Sequence, residues 1–136
     1  MKPVYLSLDF RSGTPIYLQI VEEIQHMVQE GELIPGDQLP TVRQLAAEIR
    51  VNFNTVARAY RMLDESRLIS TQQGRGTYIL DRTGAELDEK IKAASLEDQL
   101  QRALQNLTRQ GFTQGEIINE LKRIVNQGKF QTENEE

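Results

Sequence analysis

The chain has 136 residues, and 16 Lys and Arg against 20 Asp and Glu give it a formal net charge of −4. It has no cysteine and one histidine, which excludes disulfides and thiolate metal sites and leaves little for acid–base catalysis. No apolar run approaches the ~20 residues of a membrane span, and the N-terminus lacks a signal-peptide core. We therefore expect one domain, or a small domain with an appendage, in a cytoplasmic protein that is not an enzyme.

The charge is unevenly distributed along the chain. Residues 41–76 contain six arginines against three acidic residues, a net charge of +3, whereas residues 81–136 carry −3. The acidic total argues against nucleic acid as a partner, but the positive segment between two acidic ones argues for it. Local charge of this kind is more informative about partners than the sum.

The first predicted helix follows Thr14 and Pro15, which fit an N-cap and a proline at the first helical position. Apolar residues then recur at helical spacing until Gly31 ends the helix. These residues are Ile16, Ile20, Ile24, Met27 and Val28.

Two further helices are predicted within the positive segment. Thr41 and Gln44 fit a capping box that opens a short second helix to about Ile49. After a two-residue turn, Asn52 is the expected N-cap of a third helix that runs to about Ser66. The spacing predicts that this third helix buries Val56, Ala59, Tyr60 and Leu63.

A β-hairpin is predicted next, because β-type residues 70–72 and 77–80 flank the glycine-rich segment 73–76. Three helices and a hairpin within ~65 residues follow the order of a winged helix, whose second and third helices form a helix-turn-helix. The predicted fold is mostly α with a small β-hairpin wing, and a short all-helical tail follows.

The tail is predicted to contain a connecting helix over 82–94, a helix capped by Ser95 and closed by Gly111, and a last helix that Thr113 opens. Residues 131–136 are acidic and predicted to be disordered. The expected domains are therefore a winged helix over 1–80, a helical dimerisation domain over 81–130 and this tail.

The third helix carries side chains suited to reading a DNA duplex. With Val56 inward, Asn54, Arg58 and Arg61 lie on the opposite face, and Asn52 and Thr55 lie at its N-terminal rim. Arginine can read guanine, asparagine adenine, and threonine the thymine methyl group. The alternative is that Arg58 and Arg61 are solvated helix residues paired with Asp64 or Glu65.

Two other segments favour DNA. Thr41 and Arg43 open the second helix, where backbone N–H groups and one arginine can hold a phosphate. Gly74 and Arg75 form a slim basic tip that can reach a minor groove or a phosphate. Phe53 has two open interpretations: contact with a thymine methyl group, or packing against Val51 or Tyr60.

These motifs resemble the GntR family of bacterial transcriptional repressors, and within it the YtrA-type branch. The resemblance covers residues 14–80 and rests on PIYLQI (15–20), GELIPGDQLPTVRQLA (31–46), VNFNTVARAY (51–60) and GRGTY (74–78). It implies a winged helix that binds an operator as a homodimer, with DNA contacts from Thr41, Arg43, Asn52, Phe53, Asn54, Thr55, Gly74 and Arg75. It also implies regulation of an ABC-transporter operon.

The sequence departs from the family at three places. Many members carry arginine where Phe53 and Ala57 stand, and Arg58 can compensate. Ser66-Arg67-Leu68 replaces the usual Glu-Gly-Leu and loses a helix-ending glycine. These differences affect base preference rather than the class of ligand.

The tail is expected to form the dimer interface, as the resemblance also implies. Leu96, Leu100, Ala103 and Leu107 have the spacing of a helical seam, and the last helix has a second apolar face. The alternative is a helical hairpin that packs on the winged helix of its own chain.

The sequence thus predicts a dimeric repressor that binds a palindromic operator, with no cofactor, no metal, no membrane partner and an effector that remains unknown. One rival is a winged helix that binds another protein through the acidic tail. A small enzyme is a second rival, but the nucleophile, base and orienting group that it needs are missing.

Overall fold

The computed structural model describes residues 1–80 and 85–128. In this part of the chain the elements are α1 (Ile16–Gln29), β1 (Gln38–Leu39), α2 (Val42–Ile49), α3 (Phe53–Glu65), β2 (Ile69–Gln72), β3 (Gly76–Ile79), α4 (Ala85–Arg109) and α5 (Gln114–Asn126). Their order is the predicted one, except that β1 is added and that two helices rather than three follow the wing in the described residues. Every helix within these residues is too short or too polar to cross a lipid bilayer.

The central helix α1 begins one residue later than predicted. Pro15 is its N-cap, and the Thr14 side chain does not cap the helix. The Gln19 side-chain amide donates to the carbonyl oxygens of Asp9 and Thr14 at 2.8 and 2.9 Å, which holds residues 9–14 as a loop. Gly31 follows the helix in the left-handed conformation, as the sequence predicts.

The helix α1 is buried on more sides than its predicted stripe indicates. Leu18 and Val21 are buried together with Ile20 and Ile24. Val4 of the N-terminal segment also belongs to this core. The wide buried arc makes α1 the scaffold on which α3 packs.

The helix-turn-helix forms as its local signals predict. The Thr41 hydroxyl accepts from the Gln44 N–H at 3.0 Å, and the Gln44 side chain accepts from the Thr41 N–H at 2.9 Å, so the capping box is confirmed. Arg50 ends α2 in the left-handed conformation with φ 56°. Asn52 caps α3, and the four predicted core residues of α3 are all buried.

The wing is part of a three-stranded antiparallel sheet in the order β1-β3-β2. Ser70 pairs with Tyr78 and Thr71 with Thr77 across the hairpin. The two-residue strand β1, which was not predicted, pairs with the other edge of β3 and places Gln38 opposite Tyr78.

The prediction of two helices at the start of the tail is wrong, because one continuous helix, α4, spans Ala85–Arg109. No glycine or proline interrupts residues 85–109, and a serine inside a helix costs little, so Ser95 does not start a new one. Leu87 of α4 is fully buried in the core, and Ile91 and Ala94 pack against that core. The acidic residues 131–136 and the start of the predicted connecting helix at 82–84 lie outside the described residues.

The chain forms two compact units, Met1–Leu96 and the residues from Glu97 onward. The first unit holds the buried core and its three-stranded sheet. In the second, α5 opens with the predicted capping box of Thr113 and Glu116 and buries none of its residues. The division into functional domains at residue 80 stays a prediction.

Candidate nucleic-acid interface

The start of α3 presents polar side chains to solvent. The Asn52 side-chain oxygen accepts from the Asn54 N–H at 2.7 Å, so this oxygen is engaged in capping the helix. Asn54 is itself exposed, and Thr55 is half-buried beside it. Asn54 is therefore the residue of this group whose side chain is most accessible to a ligand.

The starts of α2 and α3 meet through Arg43 and Phe53. The guanidinium carbon of Arg43 lies 5.6 Å from the centre of the Phe53 ring, within the range of a cation–π contact. Phe53 remains 47% exposed. Its ring thus supports Arg43, an arrangement that neither interpretation of the sequence included, and its contact with a thymine methyl group stays a prediction.

A groove of about 710 Å³ lies between α3 and the wing. Four of the predicted contacts line it together, although they come from three separate segments of the sequence. These residues are Thr41, Arg61, Gly74 and Arg75. The carboxylate of Asp64 lines the same groove. Two arginines, a hydroxyl and a glycine tip beside it can hold a phosphate backbone or the edge of a base.

Arg58 lies apart from this groove. Its guanidinium carbon is 3.9 Å from the centre of the Tyr17 ring on α1. Within residues 1–80 and 85–128, neither Arg58 nor Arg61 forms an ion pair with Asp64 or Glu65. The alternative in which an acidic neighbour neutralises these arginines therefore has no support in this part of the chain.

Two side chains that the sequence analysis missed form hydrogen bonds to the backbone of the wing tip. The Arg75 carbonyl oxygen accepts from the Tyr78 hydroxyl at 2.7 Å and from the Gln38 amide at 3.4 Å. Gly76 has φ +112°, and a Cβ atom there would overlap the Gln38 side chain. A two-residue strand is too short to leave a periodic signal, so the role of Gln38 was not predictable.

The recognition helix, as we call α3, is also fixed against the segment that joins β1 to α2. The Tyr60 hydroxyl donates to the Pro40 carbonyl oxygen at 2.6 Å. Burial, with a smaller contribution from the charge of Glu48, raises the pKa of Tyr60 well above its ordinary value. The phenol stays protonated and donating, which keeps the start of α2 in register with α3.

The family model for the bacterial regulatory proteins of the gntR family matches residues 16–79. The transcriptional repressor YtrA of Bacillus subtilis is 40% identical over 99 residues, which are 73% of this chain and 75% of YtrA. The uncharacterised regulator YhcF of the same organism is 33% identical over 88% of this chain and 97% of its own length. The chain belongs to the GntR family.

The solved structures support the same branch of the GntR family. YtrA from Sulfolobus acidocaldarius, described as a GntR-family transcription factor, matches 68% of this chain and 97% of its own with a TM-score of 0.55 and 35% identity. The chain is thus a DNA-binding transcriptional regulator, and the predicted winged-helix fold and YtrA-type resemblance are confirmed. GntR proteins regulate transcription, so the prediction that this chain is not an enzyme is confirmed as well.

Membership in the GntR family does not test the individual contacts. Arg43, Asn54, Arg58 and the four residues of the groove are exposed on the helix-turn-helix and the wing. Asn52 is exposed too, with its side-chain oxygen engaged in capping, and Arg58 stacks on Tyr17 of α1. Within the described residues, no cluster of histidine and carboxylate side chains could hold a metal ion. The DNA contacts, residue by residue, remain predictions.

Proposed function

We propose that this GntR-family regulator is a homodimeric repressor that binds a palindromic operator, through Asn54 and Arg58 at base edges and through Arg43 and the wing at the backbone. The observation that carries this proposal is the groove, which collects Thr41, Arg61, Gly74 and Arg75 beside the exposed face of the recognition helix. Repression is proposed because YtrA of Bacillus subtilis is described as a transcriptional repressor.

The dimer is proposed from the second unit. Large apolar side chains of α4 and α5 are between 43 and 53% exposed, which a lone helical pair in water does not favour. These residues are Leu100, Leu104, Ile118, Leu121 and Val125. A symmetric partner would cover them and would present two recognition helices to two half-sites about one helical turn apart.

The target and the compartment follow from the same proposal. The resemblance to the YtrA-type branch implies an ABC-transporter operon, and we adopt it as the proposed target. A repressor acts where the chromosome lies, so we place this protein in the cytoplasm.

Selection of bound duplexes from a random pool tests the function directly. The expected product is a short inverted repeat, and Asn54→Ala should then cost about 1–3 kcal/mol of binding and relax one base position in each half-site. An enriched pool without an inverted repeat would contradict the palindromic operator. Binding that does not weaken with salt would contradict duplex recognition itself.

A phosphate contact should behave differently from a base contact. Arg43→Ala should weaken binding to every duplex alike and lower the slope of log affinity against log salt by about one unit. Lys92→Ala on the exposed side of α4 removes the same charge away from the proposed interface and serves as the control. If Arg43→Ala lowered the affinity for DNA no more than Lys92→Ala does, Arg43 would be excluded from the interface.

A further inference from the structure

Arg58 and Tyr17 join the recognition helix to α1 at the surface of the first unit. The Arg58 guanidinium carbon lies 3.9 Å from the ring centre of Tyr17, a separation at which the planar cation stacks on the ring. Tyr17 is only 7% exposed and belongs to the hydrophobic core, so its ring is held in place. Arg58 is exposed. A fixed ring therefore supports an exposed, charged side chain.

The backbone beneath this stack is rigid. Tyr17 lies in the first turn of α1, whose Ile20 and Ile24 are fully buried, and Arg58 lies between the buried residues Val56 and Ala59 of α3. Because both helices are anchored in one core, the Tyr17 ring and the Cα atom of Arg58 are held at a fixed separation. Only rotation of the Arg58 side chain itself can take the guanidinium off the ring.

Stacking restricts Arg58 without consuming its donors. The N–H donors of a guanidinium point outward in its plane, whereas the ring contacts its face. Within the described residues, no carboxylate forms an ion pair with Arg58. A pair of donors in a fixed plane is what bidentate recognition of guanine O6 and N7 requires. Arg58 also lies one turn after Asn54 on the outward face of α3.

We propose that Tyr17 is a positioning residue for operator reading, which holds the Arg58 guanidinium in the plane that reads a guanine. The inference rests on the proposed function, since it assigns a specificity role within the same interface. Tyr17 acts through Arg58 and does not itself touch the DNA. It extends the set of residues that determine specificity from the helix-turn-helix to α1.

The test compares four variants of the full chain on the selected operator and on duplexes with each single base replaced. Tyr17→Leu should lower the discrimination for one guanine per half-site by about tenfold, part of the effect of a lost bidentate contact. Tyr17→Phe keeps the ring and should retain the discrimination. Arg58→Lys keeps the charge but loses the planar fork, so it should lose discrimination at the same position. Tyr5→Leu removes an exposed tyrosine and is the matched control.

A double-mutant cycle decides whether Tyr17 acts through Arg58. On an Arg58→Ala background, Tyr17→Leu should have no further effect on base preference. If the two residues acted independently, the effects of the two substitutions would add. Additive effects would overturn the inference. If Arg58→Ala lowered the affinity for all duplexes equally, the inference would also be overturned, because Arg58 would then contact a phosphate.

Folding and function remain separable in this design. If Tyr17→Leu does not fold, as its circular dichroism would show, Arg58→Lys and Tyr17→Phe still test the stack, and full discrimination by Arg58→Lys would overturn the inference. If the unchanged protein binds no duplex with sequence preference, the proposed function itself fails. If the unchanged protein binds with sequence preference but the double-mutant cycle of Tyr17 and Arg58 is additive, only the proposed role of Tyr17 is wrong.

Discussion

The two units of the chain use their apolar residues in opposite ways. In the first unit, apolar side chains from all three of its N-terminal helices, from the sheet and from Leu87 of α4 form one buried core. In the second unit, α5 has a similar density of apolar residues but buries none of them. The same helical periodicity therefore builds a self-sufficient fold in one place and an uncovered face in the other.

This difference teaches that periodicity measures how apolar a helix face is, not what covers it. A winged helix covers its own faces because three helices and a sheet surround one centre. In the second unit, the described residues form only the end of α4 and α5, which leave each other's apolar faces exposed. A second chain would therefore change the solvent exposure of this uncovered face more than that of the closed core.

The largest expected effect is on the free energy of unfolding, and it distinguishes a buried leucine from an exposed one. Leu63 of α3 is fully buried, whereas Leu121 of α5 is 53% exposed. Leu63→Ala should lower the free energy of unfolding by about 2–5 kcal/mol, because it leaves a cavity in a closed core. Leu121→Ala, measured at a concentration where the chain is monomeric, should change it by less than about 0.5 kcal/mol. Urea titrations monitored by circular dichroism give both values. Equal losses would mean that the second unit covers Leu121 within one chain.

The next effect concerns the proposed dimer. A charge at Leu121 should separate the protomers, because an unpaired carboxylate does not enter an apolar interface. Without avidity, Leu121→Asp should bind the operator about a hundredfold more weakly, while the salt dependence per half-site stays the same. Asn119→Asp adds the same charge to the opposite face of α5 and is the control. Sedimentation would show monomers for Leu121→Asp and dimers for the control. A monomeric unchanged protein would instead favour the intramolecular hairpin.

Local signals accounted for most of the first unit and for the cap of α5 in the second. Both capping boxes, the Asn52 cap and the buried stripe of α3 follow from residue type and spacing, and the structure has each of them. The lost glycine after α3 has a structural counterpart, since Arg67 takes the left-handed conformation with φ 65° that glycine would take more easily. Sequence rules worked wherever the information lies within a few residues.

The errors at Thr14 and Ser95 are local, whereas the omissions come from long-range contacts. The supposed break at Ser95 relied on a capping residue, and the surrounding helix overrode it. The pairing of β1 with β3, the support of Arg75 by Gln38 and the stack of Tyr17 on Arg58 join residues 37 or more positions apart. No local pattern encodes such pairs. The candidate site could therefore be predicted as a set of residues, but the side chains that hold them could not.

The smallest expected effect compares the two capping boxes, which share one geometry but differ in chemistry. Gln44 closes the box of α2 and cannot titrate, whereas Glu116 closes that of α5. Hydrogen bonds from the backbone N–H and then from the side chain of Thr113 lower the pKa of Glu116. A lowered pKa means that the cap stabilises α5 above the ordinary pKa of 4.5 and that this stabilisation is lost as the pH falls through the folded value.

Glu116→Gln should therefore remove part of the loss of stability between about pH 5 and pH 3 while leaving the neutral-pH fold unchanged. The Glu120–Arg123 pair also lowers the pKa of Glu120, so the wild-type chain retains a second acid-sensitive contact on the same helix. The informative quantity is the difference between the melting curves of the two proteins at each pH. Parallel curves would show that protonation of Glu116 does not change the stability of α5. A difference confined to acid pH would show that protonation of Glu116 weakens the cap of α5, a sensitivity that the Thr41–Gln44 box of α2 lacks because Gln44 does not titrate.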